Sequence, residues 1–79
     1  MSRLEYLGER ESLRVKRRAV LAELQSHRDS LLSALSIVRE PEELQGEYIA
    51  ALGVKLNELL LELQGIDRKI SILSQEIGE

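Results

Sequence analysis

Apolar residues in the second half of the chain recur in alternating steps of three and four: Ile49, Leu52, Leu56, Leu59, Leu63, Ile66, Ile70, Leu73 and Ile77. A repeat averaging about 3.5 residues keeps one stripe of a helix turned toward a partner helix, which is the a/d seam of a coiled coil. A run this long predicts packed long helices. It names no substrate, because the same seam serves scaffolds, chaperones, regulators and some enzymes. In the first half, Leu13, Val20, Leu21, Leu24, Leu31, Leu32, Leu35 and Val38 gather on a corresponding main face.

The pattern breaks outright at one place, Arg39-Glu40-Pro41-Glu42-Glu43. Proline lacks an amide hydrogen and disfavours helical geometry in the residue before it, so a first helix is expected to stop near Arg39. Pro41 then suits the first turn of a second helix, where Glu42, Glu43 and Glu47 would sit at the positive end of the helix dipole. Ser2 followed by Glu5 has the spacing of a capping box. The expected layout is one domain over residues 1–79, with helix 1 over about 3–39, a turn at about 39–42 and helix 2 over about 42–77. Gly46 lies inside the proposed second helix and favours, as an alternative start, a short helical turn followed by a kink. Two arms of roughly 36 residues, each about 54 Å long, imply an all-α antiparallel coiled-coil hairpin.

Folding back about mid-chain sets residue i opposite approximately residue 80 minus i, which brings Leu24 to Leu56, Leu31 to Ile49, Val20 to Leu60 and Leu7 to Leu73. The same register places Gly53 near His27 and Arg28, where a missing side chain would make room for a larger one. The core expected inside the hairpin is Leu24, Leu31, Leu35, Ile49, Leu52, Leu56, Leu59, Leu63, Ile66 and Ile70.

Apolar residues are not confined to these faces. A second line on helix 1, Val15, Ala19, Ala22, Ser26, Ser30, Ser33 and Ile37, consists mostly of small side chains, and helix 2 carries Ala50, Val54, Leu61, Gly65 and Ile72 opposite its seam. A lone hairpin buries one face of each helix and leaves the others wet. A chain of 79 residues without cysteine also has little interior and no staple. Self-association into a four-helix or larger bundle, or docking on a helical protein partner, is therefore expected, with Val15, Ala19, Ala22, Val54, Leu61 and Ile72 as the interface.

The net charge of -3 conceals an asymmetry: residues 1–28 hold seven Lys/Arg against four Glu, and residues 29–79 hold four against ten acids. Antiparallel folding lays the basic arm beside the acidic one, a modest electrostatic gain. Met1 to Leu13 is charged throughout and lacks the apolar stretch of a signal peptide, and the longest apolar run, Tyr48 to Leu52, is five residues. No membrane segment is expected, and a cytoplasmic location suits the absence of cysteine.

Few residues carry chemistry. His27 is the only histidine and there is no cysteine, so no metal-ligating spacing occurs; Glu58 and Glu62 lack the Glu-x-x-His partner of a di-iron bundle. Neither a glycine-rich phosphate loop nor a nucleophile elbow is present, and the expectation is a non-enzymatic protein with no cofactor. Arg10, Arg17 and Arg28 point to the side of the main leucines, with stems over that face and heads expected in water. Arg10, Arg14, Arg17 and Arg18, with Lys16 among them and Arg3 before them, form the one string able to follow phosphates, which makes a nucleic-acid-binding regulator the alternative to an adaptor, scaffold subunit or small helical chaperone. Interleaved Glu5, Glu9 and Glu11, an acidic chain overall and Tyr6 as the only nearby aromatic all count against nucleic acid as a partner.

Overall fold

The computed structural model describes residues 2–36 and 39–79, and within them the chain forms two long helices, α1 (Arg3–Ser36) and α2 (Gly46–Ile77), with a 3-10 turn at Pro41–Glu43 between them. The expected all-α helical hairpin is what the chain adopts. Arg10 reaches Ser74 and Arg17 reaches Asp67, so numbering rises along one helix as it falls along the other. The result is a rod of 59 × 16 × 14 Å, with a radius of gyration of 17.8 Å against about 12 Å for a compact chain of this length.

Ser2 starts α1 as its sequence context suggests. The Glu5 amide donates to Ser2 Oγ at 3.2 Å and the Ser2 hydroxyl donates to the Glu5 carboxylate at 3.3 Å, which satisfies a backbone donor that the first turn leaves unpaired. At the other end the helix runs to Ser36, whose hydroxyl donates to the Leu32 carbonyl, a local bond that competes with regular helix. Arg39 is in a bend; Ile37 and Val38 lie outside the described residues.

Helix α2 begins at Gly46 and not near 42, after a short helical turn, as in the alternative start that Gly46 favours. Pro41 opens only a single 3-10 turn, because Leu44 is extended (φ -62°, ψ 136°) and Gln45 is also non-helical. Glu42 and Glu43 consequently belong to that short turn, and only Glu47 of the expected acidic group sits in the first turn of α2. The far end matches expectation at Ile77. Gly78 follows in the left-handed region at φ 91°, with its amide donating to the Ser74 and Gln75 carbonyls and the Glu79 amide to Ser74, all as in a Schellman cap. A side chain at Gly78 would be strained there.

All nine residues of the α2 seam are buried or half-buried, and Leu52, Leu59, Ile66, Leu73 and Ile77 are the most enclosed. The central cluster is Val20, Leu59 and Ile66, with Leu13, Leu24, Leu63 and Ile70 packed against it. Val20 thus lies between Leu59 and Ile66, and Leu60 is exposed, so the register sits about one helical turn from the one expected. Gly53 gives no space to His27 or Arg28: a Cβ added there meets nothing within 4 Å. His27 Nδ1 instead lies 2.8 Å from the Glu23 carbonyl of its own helix.

The inward face of α1 differs from the leucine-rich one expected. Leu21, Leu32 and Leu35 are exposed, which removes Leu35 from the core. Successive residues on a helix are about 100° apart, so of Val20 and Leu21, or Leu31 and Leu32, only one can face inward. The stripe actually enclosed steps through Tyr6, Arg10, Leu13, Arg17, Val20, Leu24, His27, Leu31 and Ala34. Three polar side chains therefore stand in seam positions against an aliphatic helix.

Arg10 is the extreme case. Its head is not in water, since the residue is only 6 % exposed. Nη1 donates to Ser74 Oγ at 3.1 Å and to Glu79, and Nη2 donates to Glu79 Oε1 at 3.3 Å. The turn at Gly78 carries Glu79 to this position. The hydrogen bond from Arg10 holds the Glu79 carboxyl below the usual glutamate range against a smaller opposing effect of burial, and Arg10, Arg14 and Arg3 add attraction. The same bond raises Arg10.

Because the folded state lowers the Glu79 pKa, this clamp contributes stability above the ordinary glutamate value of about 4.3 and loses it as pH falls through that region. In urea titrations Glu79→Gln is expected to be less stable than wild type at neutral pH and equal to it in acid. The difference should be modest, since Glu79 is half exposed and water screens it. A gap that persists unchanged in acid would place the effect elsewhere.

Candidate interaction surfaces

The six residues selected for an interface separate into two outer faces. Val15, Ala19 and Ala22 lie on α1 and Val54, Leu61 and Ile72 on α2, all exposed, with the four larger ones 52 to 61 % accessible. Because the helices face each other through their seams, residues on the far side of each helix look away from the hairpin in opposite directions. They make two surfaces and not one patch. Near the turn, a shallow groove of about 710 Å³ runs between Ala22, Ser26, Ser30, Ser33 and Ala34 of α1 and Tyr48 of α2. Small side chains on α1 leave this space.

The basic string is largely engaged within the molecule. Arg10 is buried on Ser74 and Glu79, which withdraws it from any exposed stripe. Arg17 Nε donates to Asp67 at 2.6 Å, Lys16 lies 3.8 Å from Glu62 and Arg18 lies 4.0 Å from Glu11. Arg14 is exposed and contributes attraction to Glu79. Arg28, the last of the three expected to cover the leucine face, pairs with its neighbour Asp29 at 3.1 Å. Sequence reasoning found the arginines and missed their partners Asp67, Ser74 and Glu79. A signal was present in the three- and four-residue steps, which pass through Arg10, Arg17 and His27 as regularly as through the leucines.

Among the described residues no group of three or more His, Asp or Glu converges, and no helix is long and apolar enough to cross a membrane. No known protein family, curated protein or solved structure matches the chain.

The apolar surface left outside the hairpin is large for the size of the molecule. Only six aliphatic residues are buried among those described, while eleven large apolar ones stay exposed. The accessible surface of 5852 Å² exceeds by about 1,000 Å² the roughly 4,900 Å² expected of a globular chain of 9.0 kDa.

Proposed function

We propose that this protein is a non-enzymatic interaction module, an oligomerising adaptor, scaffold subunit or small helical chaperone that works by burying the outer faces of its two helices. Its support is a mismatch: the hairpin encloses one seam, and Val54, Leu61 and Ile72 remain exposed along the other side of α2. Exposed apolar faces of this kind mark sites of association. A cytoplasmic setting belongs to the same proposal and agrees with a core that has no cysteine to staple it.

Light scattering coupled to gel filtration at micromolar concentration is expected to give at least twice 9.0 kDa. Leu61→Asp should lower that mass while leaving the helices folded, because Leu61 is 58 % exposed and supports nothing inside the hairpin. A folded wild-type monomer that captures no protein would defeat the proposal.

A further inference from the structure

The outer face of α2 is complementary to itself. Val54, Glu58, Leu61, Gly65, Arg68 and Ile72 follow one another in steps of four and three, a second seam on the side of α2 away from the hairpin core, and all are exposed or half-exposed. Reversed in direction, the series keeps matching chemistry: Val54 exchanges with Ile72, Glu58 with Arg68 and Leu61 with Gly65. We propose that two copies of this chain pack antiparallel through this face about a two-fold axis level with Leu63, a pairing that rests on the self-association proposed above and gives it an orientation and a register. In it Val54 meets the partner's Ile72, Glu58 meets the partner's Arg68 and Leu61 fills the space over the partner's Gly65. Each contact occurs twice, as a two-fold interface requires, and the assembly closes at two chains.

Three observations favour this occupant. Among the described residues Arg68 makes no ion pair within its own chain, and the only one that Glu58 makes is an exposed contact to Lys55 at 4.0 Å, so both charges are available. Gly65 is costly inside a helix, yet a Cβ added there meets nothing within 4 Å, so the hairpin itself does not require the glycine. A partner's leucine does. Parallel pairing in register would set Glu58 against Glu58 and Arg68 against Arg68, which like charges oppose.

Charge exchange tests the register. Sedimentation equilibrium of Glu58→Arg and of Arg68→Glu should show self-association weakened about tenfold or more, since each variant places like charges together twice. An equimolar mixture of the two variants should recover wild-type association as a heterodimer, and the double variant should recover it as a homodimer. Gly65→Leu should keep or raise helix content by circular dichroism and still weaken association, which separates the interface from folding. Single variants that dimerise like wild type, or a mixture that does not recover, would overturn this register while leaving self-association standing. A wild-type chain that stays monomeric would remove the self-association and the register together.

Discussion

Leu59→Asp is expected to unfold the hairpin. Leu59 is the most enclosed of the described residues, 2 % exposed, and it packs in the central cluster with Val20 and Ile66. A carboxylate there replaces a leucine inside a wholly aliphatic cluster, so it is either buried among Val20, Ile66 and their neighbours or protonated at neutral pH, at a cost of about 3 kcal/mol or more together with the lost leucine packing. A hairpin with six buried aliphatic residues among those described has little reserve to absorb that. Circular dichroism should show most of the helical signal gone at room temperature. Two residues away, Leu61→Asp should leave the signal nearly intact. A variant Leu59→Asp that melts like wild type would mean that the seam does not hold the helices together.

The opposite effect is expected where α1 presents polar groups to an aliphatic helix. Arg17→Leu combined with His27→Leu should stabilise the hairpin, because both positions are half-buried in the seam and each apolar replacement adds about 1 kcal/mol of burial. The lost Arg17 to Asp67 ion pair offsets little, since both side chains are more than a third exposed and such pairs contribute about 0.5 kcal/mol. The net gain corresponds to a rise in Tm of about 10 °C for a chain of this length. Thermal melts at fixed concentration would check it. An unchanged or lower Tm would show that the arginine and histidine hold the register in a way that burial does not replace.

Architecture was legible in the sequence wherever one periodicity dominated. Of the nine residues from Ile49 to Ile77, only Ile49, Leu59 and Leu73 have a large apolar neighbour, Tyr48, Leu60 and Ile72 respectively, and all nine pack inward. On α1 the signal was divided. The pairs Val20–Leu21, Leu31–Leu32 and Ala34–Leu35 set apolar residues side by side, and counting leucines drew the inward stripe through Leu21, Leu32 and Leu35, whereas the helix turned them out and enclosed Arg10, Arg17 and His27. The connection misled for a different reason. Pro41 is compatible with a helix start, and the extended Leu44 that interrupts it carries no local signal stronger than the glycine two residues later. Glu79 was invisible as a partner of Arg10 because their meeting depends on a left-handed turn at Gly78 as well as on the pairing of the helices. The outer faces were legible from the helical period, which sets Val15 and Ala22 on α1 and Val54, Leu61 and Ile72 on α2 opposite the seams.

The buried residues Leu52, Leu59, Ile66 and Leu73 recur at strict intervals of seven, and so do Val54, Leu61 and Arg68 on the outer face. A straight α-helix drifts about 20° per seven residues from such a repeat, so keeping both stripes in contact makes α2 wind gently to the left about its neighbours. The outer stripe therefore describes a shallow left-handed spiral and not a line. A straight helix laid against it would lose contact within a few turns, whereas a helix bearing the same repeat winds with it along its whole length. In the proposed dimer, a second copy of α2 would bring the matching pitch.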